Sequence, residues 1–220
     1  MSLPRLTYFR ARGRAEMIRL ALAETATEYE ERHVGAFHRT DKPPEFLALR
    51  ESGVLAFGAV PLWEEDGIAP LVQSHAILRH VARTRGLYGA DDRDAARCDM
   101  LVEGVRDVVA IAQSLYDSKP EELAAQMATV IQQQLPFWLG RFNELLGDSD
   151  SGDGYFVGKG VTVADIAVYY LLELIASNGL SAAIDAHAAL RDFKTRMESR
   201  PNLARYLAHP ERLPAEVLVG

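Results

Sequence analysis

Residues 3–34 read LPRLTYFRARGRAEMIRLALAETATEYEERHV, and the fold is decided there. Residues 3–8 and 28–34 have the character of short strands, while residues 13–23 between them place Met17, Leu20 and Ala21 at helical spacing. A strand–helix–strand unit of this length ordinarily makes a parallel pair with a right-handed crossover. Downstream, residues 35–58 are punctuated by glycine and by Pro43 and Pro44. Residues 60–64 and 68–72 then flank Glu65-Asp66-Gly67, and Asp-Gly between apolar runs signals a hairpin turn. Helical spacing returns over residues 74–85 with Ile77, Leu78 and Val81. The first 85 residues therefore read βαβ followed by ββα.

After Gly86-Leu87-Tyr88-Gly89 the pattern is helical almost throughout, with helices expected over 93–115, 120–146, 163–176, 182–187 and 190–199. Thr162-Val163-Ala164-Asp165 has the form of a capping box ahead of an apolar run. Charge divides at the same place. Residues 1–85 hold 12 Lys/Arg against 11 Asp/Glu, and residues 86–220 hold 12 against 20. The sequence thus implies two domains: 1–85, mixed α/β, and 86–220, all helical.

Composition narrows the function. At 48% hydrophobic and 25% charged the 220-residue chain has ample material for a core. A net charge of −7 disfavours a general nucleic-acid or anionic-membrane binder. The single cysteine, Cys98, cannot form an intrachain disulfide and points to a reducing compartment. The most apolar stretch, 166–176, carries Glu173 and is too short to span a bilayer, and Met1-Ser2-Leu3-Pro4 does not open a signal peptide. A cytoplasmic protein is expected. No GxSxG, Walker A or strand-linked GxGxxG pattern occurs. Residues 148–154, DSDSGDG, misplace the turn glycine of a calcium loop and reach Lys159 where its glutamate belongs. His75 and His80, five apart, fall on different helix faces, so no metal is expected. Cys98, among charged residues of a helix, reads as incidental rather than nucleophilic.

Three pieces belong together: Leu6-Thr7-Tyr8-Phe9-Arg10-Ala11-Arg12-Gly13-Arg14, Gly58-Ala59-Val60-Pro61-Leu62-Trp63, and Leu71-Val72-Gln73-Ser74-His75-Ala76-Ile77-Leu78-Arg79. Each suits a small anionic peptide. Ser74 at a helix start offers a hydroxyl beside open backbone N–H groups and the positive dipole end, where a carboxylate fits. If the bond before Pro61 is cis, the chain turns sharply and exposes the backbone of Val60, so that a peptide can pair with it as an added strand. Tyr8 places a neutral phenol at a strand end, able to donate to a thiolate and favour its charged form.

In these pieces, and in TYFRARGRAEMIRL, VQSHAILRHVARTRGLYG and GKGVTVADIAVYYLLELI, the chain resembles the cytosolic glutathione S-transferases over nearly its whole length. It is most similar to the tyrosine-type classes, the pi class first and sigma second. The resemblance implies a thioredoxin-like N-terminal domain, an all-helical C-terminal domain contributing the electrophile pocket and dimer interface, and a homodimer. It also implies conjugation of glutathione, a co-substrate with no cofactor beside it, to small hydrophobic electrophiles in detoxification. An isomerase or peroxidase using the same thiolate, or a non-enzymatic ligand-binding or structural member, are its alternatives.

Residue by residue, the resemblance makes Tyr8 the thiolate-stabilising hydroxyl and Arg14 the neighbouring electrostatic organiser. Gln73 and Ser74 hold the γ-glutamyl end, and Val60, before Pro61, pairs with the cysteinyl backbone. Asp107 reaches the partner subunit's glutathione, Phe57 is an aromatic key at the dimer interface, and Thr162 and Asp165 are structural. Phe46 stands where related classes have a tryptophan, and either Arg50 or Lys42 supplies the cation for the glycyl carboxylate. Ala59 replaces a family glutamine, and Arg10 replaces a small residue of the electrophile pocket, for which Ile111, Leu115, Leu218 and Val219 are candidate walls.

Overall fold

The structure, a computed structural model, describes residues 2–38, 40–116, 118–149 and 154–215. In chain order it contains β1 (Arg5–Tyr8), a 3₁₀ turn (Gly13–Ala15) running into α1 (Glu16–Glu24), β2 (Glu30–His33), α2 (Pro44–Glu51), β3 (Leu62–Glu64), β4 (Leu71–Val72) and α3 (Ser74–Thr84). Then follow α4 (Asp92–Tyr116), α5 (Pro120–Thr129), a π-helical turn (Val130–Gln134), α6 (Leu135–Gly147), α7 (Val163–Ser177), α8 (Ser181–Asp185), α9 (Ala188–Glu198) and α10 (Pro201–Leu207). Two compact units result, one of residues 1–85 with Pro201–Ala215 and one built on Gly86–Arg200.

The first unit is a four-stranded sheet of order β2-β1-β3-β4. β1 runs parallel to β2, Arg5 opposite Glu30 and Tyr8 opposite His33, and antiparallel to β3, which pairs antiparallel with β4. β1 is central, and Leu6, Thr7 and Tyr8 are buried. β2 is an edge strand of sequence EERH with every residue exposed, and its charges discourage further pairing. Both hairpin strands are shorter than their apolar runs. Pro61 and Pro70 have no N–H to give a ladder, so the strands begin just beyond them, at Leu62 and Leu71. Gly67, at φ 87°, makes the turn between them. α2 lies in the punctuated region where the sequence signals no helix. Pro44 starts it, where a missing N–H costs nothing, and only Phe46 is buried. The segment after residue 200, placed from the sequence with residues 86–220, packs its helix α10 on α1 of the first unit.

In the second unit α7 is the central helix, buried from Val163 through Leu172 and packed against α4, α8 and α9. Residues 120–146, expected as one helix, are interrupted by the π turn before Pro136, the second residue of α6. Pro136 cannot donate to the preceding turn, and the wider turn absorbs the mismatch. The capping box forms. The Thr162 N–H and hydroxyl each donate to Asp165 Oδ2 at 2.8 Å, and the Phe156 N–H donates to Oδ1 at 2.9 Å. Asp165 is wholly buried, and burial pushes its carboxyl up to about 6 in spite of those three donors.

A raised carboxyl stabilises the fold most when protonated. The unfolded carboxyl titrates near ~3.9, so its contribution is complete below that pH and is lost as pH rises through about 6. Urea unfolding of wild type and Asp165→Asn should therefore show a stability gap that widens, by ~2 kcal/mol, as pH falls from about 7 to about 4. A gap that stays flat or narrows on acidification would show that the three donors, not burial, dominate.

Candidate active site

Tyr8 ends β1 and is 8% exposed. The chain then makes a turn at Gly13, φ 38°, so that the Arg14 N–H donates to the Tyr8 hydroxyl oxygen at 3.2 Å. That N–H opens the 3₁₀ turn leading into α1. A donor on the phenol oxygen withdraws electron density and strengthens the O–H as a donor toward a third group. The Arg14 side chain itself is exposed.

The turn is held from beneath by Arg19. This guanidinium is 3% exposed and donates to the Ala11 and Arg12 carbonyls, both at 3.1 Å. It also forks onto Glu31, with contacts at 2.7–3.1 Å, and meets Glu16 at 3.3 Å. Burial alone would lower the Arg19 pKa, but the two carboxylates more than reverse it. Glu16, 1% exposed, accepts from the Tyr206 hydroxyl at 3.0 Å and from Arg212 at 2.8 Å. The Arg12 Nε–H adds a bond to the Leu213 carbonyl. Sequence inspection missed this cluster; its one trace was a Glu–Arg pair at i, i+3 inside the most apolar part of α1.

Two more parts lie on the same unit. The Val60–Pro61 bond is cis, and Val60 sits outside the ladder, whose first β3 pair is Leu62 with Thr7. Gln73 caps α3 at φ 75°, ψ 109°, a left-handed setting rare and strained for a non-glycine residue. It turns the chain from β4 into α3 so that Ser74, 4% exposed, becomes the first helical residue. Arg50, in the last turn of α2, is stacked at 5.7 Å over the ring of Phe46. A Cβ built on Gly58 would touch its side chain at 3.7 Å, so Arg50 reaches the segment leading to Val60. Lys42 instead donates to the His38 carbonyl at 2.9 Å and covers the Phe37 ring. Phe46 is buried against Phe9, ring centroids 5.1 Å apart.

The remaining candidates are placed as follows. Phe57 is 72% exposed on the loop between α2 and β3. Asp107 is exposed on α4 of the helical unit, 3.5 Å from Arg106. Ile111 and Leu115 line a cavity within that unit, and Leu218 and Val219 lie outside the described residues, as do residues 150–153 of the DSDSGDG segment. Cys98 is fully buried, and burial pushes its thiol up, the opposite of an activated nucleophile. His80 meets the Glu65 carboxylate at 2.7 Å. Burial would raise that carboxyl, but His80, Trp63 and Arg85 together hold it below its ordinary value. Among the described residues no three His, Cys, Asp or Glu side chains could hold a metal ion, and no helix is long and apolar enough to cross a membrane.

Comparison with known proteins agrees with this architecture. Residues 4–83 match the family model of the glutathione S-transferase N-terminal domain, and residues 106–210 that of the C-terminal domain. The chain is 34% identical to human glutathione S-transferase A3, over 97% of this chain and 92% of that protein. It is 32% identical to bovine glutathione S-transferase P, over 94% and 93%. The solved pi-class glutathione S-transferase of Onchocerca volvulus superposes with a TM-score of 0.77 at 30% identity, covering 94% of this chain and 92% of that one. The likeness to A-type relatives is thus as strong as the expected likeness to the pi class. The chain belongs to the glutathione S-transferase family.

Removing one partner of a buried charge cluster strands the others, which costs about 3–5 kcal/mol, whereas an exposed pair contributes at most ~1 kcal/mol. Arg19→Met should accordingly lower unfolding free energy by about 3–5 kcal/mol. Arg141→Met, which breaks the exposed pair with Glu144, should change it by less than ~1 kcal/mol. Equal losses in denaturant titration would refute the central role given to Arg19.

Proposed function

We propose that this glutathione S-transferase carries out its conjugation through a glutathione thiolate held by Tyr8 and attacking a small hydrophobic electrophile. The observation that carries the assignment is the Arg14 N–H on the Tyr8 oxygen at 3.2 Å, at the end of the central strand and the start of a helical turn. A free thiol of pKa ~8.5 is only a few per cent ionised at neutral pH. Lowering it by ~2 units requires ~2.7 kcal/mol of preferential thiolate stabilisation. One hydrogen bond from a phenol to a charged sulfur supplies ~1.5–3 kcal/mol, and the charge of Arg14 with the dipole of α1 adds to it.

The tripeptide is bound by groups of several kinds. Ser74 and the open N–H groups at the start of α3 take the γ-glutamyl carboxylate, with Gln73 beside them. The backbone of Val60, next to Pro61, pairs with the cysteinyl residue as a short added strand. Arg50 takes the glycyl carboxylate, its planar fork suited to bidentate contact. Its stacking on Phe46 and its reach to Gly58 favour it over Lys42, which is engaged with His38 and Phe37. Asp107 serves the partner subunit's glutathione in a homodimer that Phe57, an exposed aromatic, helps to close. The role is detoxification in the cytoplasm. The isomerase, peroxidase and non-enzymatic readings have no particular observation in their favour.

Tyr8→Phe keeps the ring and removes the donor. Ultraviolet titration of bound glutathione should show the thiol pKa rising by ~2 units, with kcat at neutral pH falling ~10–100-fold and glutathione KM nearly unchanged. Turnover unaltered by the substitution would remove Tyr8 from the chemistry. Arg50→Ala should raise glutathione KM by about 5–50-fold with little change in kcat, while Lys42→Ala shifts it less than about 2-fold. The reverse ranking in steady-state kinetics would transfer the carboxylate to Lys42.

A further inference from the structure

Among the described residues two guanidiniums meet the Glu16 carboxylate, and they are unequal. Arg19 spends its Nε and Nη2 on Glu31 and reaches Glu16 through Nη1 alone, at 3.3 Å. Arg212 gives Glu16 Oε1 two contacts, 2.8 Å from Nη2 and 3.2 Å from Nε. The Arg212 side chain is buried, so water screens the pair little. Tyr206 donates its hydroxyl to the same carboxylate at 3.0 Å, and its ring centroid is 5.1 Å from the Arg212 guanidinium. Burial, with Glu16 beside it, pushes the Tyr206 phenol up, so it stays a donor. Glu31 is a quarter exposed and keeps contact with water. Glu16 is buried, and its main counter-charge comes from the far end of the chain.

The segment that carries Arg212 is shaped to present it. α10 ends at Leu207, and Pro210, with its fixed φ, is the second residue of a turn closed by the Arg212 N–H on the His209 carbonyl at 3.0 Å. The next residue, Leu213, accepts the Arg12 Nε–H on its carbonyl. At the start of α10, Asn202 donates to the Glu24 carbonyl at the end of α1, 2.9 Å away. Two adjacent tail residues thus hold two points of the chain after β1: Arg12 within the turn, and Glu16 at the start of α1. Arg14, whose N–H meets the Tyr8 oxygen, lies between those points.

We propose that Arg212 is a positioning residue for the Tyr8 hydroxyl. Through Glu16, and with Leu213 on Arg12, it holds the turn where the Arg14 N–H meets Tyr8, and so sets the strength of that hydroxyl as a donor to the glutathione thiolate. The inference rests on the assignment of Tyr8 to the thiolate. Without Arg212, the Glu16 carboxylate keeps one 3.3 Å contact to a guanidinium already shared with Glu31. A buried carboxylate in that state turns toward water or draws Arg19 off the Ala11 and Arg12 carbonyls. Either movement shifts Arg14, and a hydrogen bond of 3.2 Å has little length to spare.

The test is ultraviolet titration of bound glutathione in wild type, Tyr8→Phe, Arg212→Met and the double variant, each first shown to be folded by circular dichroism. Arg212→Met should raise the bound-thiol pKa by ~0.5–1 unit, less than the ~2 units of Tyr8→Phe. Its kcat near pH ~6.5 should fall about 3–10-fold, with glutathione KM within about 2-fold of wild type. In the Tyr8→Phe background Arg212→Met should add nothing to the thiol pKa, because its effect passes through the missing hydroxyl. Tyr206→Phe removes one neutral donor from Glu16 and keeps the ring; it should give a smaller rise of the same sign, and it decides the matter if Arg212→Met does not fold. Unchanged thiol pKa in the folded variants, with Tyr8→Phe still raising it, would overturn the role of Arg212 and leave Tyr8 in place. A shift that persists in Tyr8→Phe would show the Arg212 charge acting on the thiol directly, which also overturns positioning. No shift in Tyr8→Phe itself would remove the Tyr8 assignment and this inference with it.

Discussion

The sheet unit depends on one buried guanidinium. Arg19, 3% exposed, is surrounded by two carboxylates and two main-chain carbonyls. A cation in such a place is tolerated only when every N–H is met and the charge is balanced. Meeting those conditions brings four parts of the chain together: the turn after β1, α1 itself, Glu31 of β2 and, through Glu16, the segment carrying Tyr206 and Arg212. Glu16 could not be buried without Arg19 and Arg212, and the Ala11 and Arg12 carbonyls would lose the bonds that Arg19 gives them. The turn that sets Arg14 N–H on Tyr8 is therefore fixed by charge balance as well as by packing. Exposed pairs such as Arg106 with Glu103 have no comparable hold on the backbone, because water competes for both partners.

The helical unit solves a different problem. α7 is buried on almost every face, so its first N–H groups cannot turn to solvent and must be met by the protein. Thr162 and Asp165 meet the need in a box closed off from water, at the cost of a carboxyl pushed up to about 6. The same carboxyl accepts from Phe156, which ties the loop ahead of the helix to its start. The central helix is capped by groups whose whole use is structural.

How legible each feature was in the sequence follows from the range of the interaction that makes it. The alternation of β1, the spacing of α1 and α3, Asp66-Gly67 and the Thr162–Asp165 box are local signals, written within a few residues, and the elements are found where they point. α2 was invisible because its apolar face is little more than Phe46, and its stabilising contacts, Phe46 on Phe9 and Arg50 against Gly58, are with distant segments. The break before α6 was hidden because the apolar periodicity runs through it; Pro136 alone marked it. Placement of α10 on α1 rests on the Glu16–Tyr206 and Glu16–Arg212 bonds, nearly two hundred residues apart, and no periodicity records such a pairing. Of the proposed site positions, Tyr8, Val60, Gln73 and Ser74 are residues at or beside element ends, which the sequence pattern marks. What supports Tyr8, namely Arg19, is not marked, since a charged residue in an amphipathic helix is normally read as facing water.

Those proposed site positions share a physical property. Tyr8 is the last residue of a strand, Gly13 at φ 38° carries the next turn, Val60 precedes a cis bond, and Gln73 at φ 75° joins β4 to α3. Regular elements consume their own N–H and C=O groups in ladders and helical turns, so main-chain donors for a ligand are available only where regularity ends. Ser74 illustrates the gain. Because Gln73 accepts a left-handed backbone, costing about 1–3 kcal/mol, the helix starts abruptly at Ser74, and its first N–H groups have no partner within the helix. An anion can then be held by dipole and donors with no cation required, which suits a unit whose Lys/Arg and Asp/Glu nearly cancel, 12 against 11 over residues 1–85. A second carboxylate has no helix start to meet it at Gly58, and there a cation is needed. In the proposed site that cation is Arg50, whose side chain is already stacked on a buried phenylalanine before any ligand arrives.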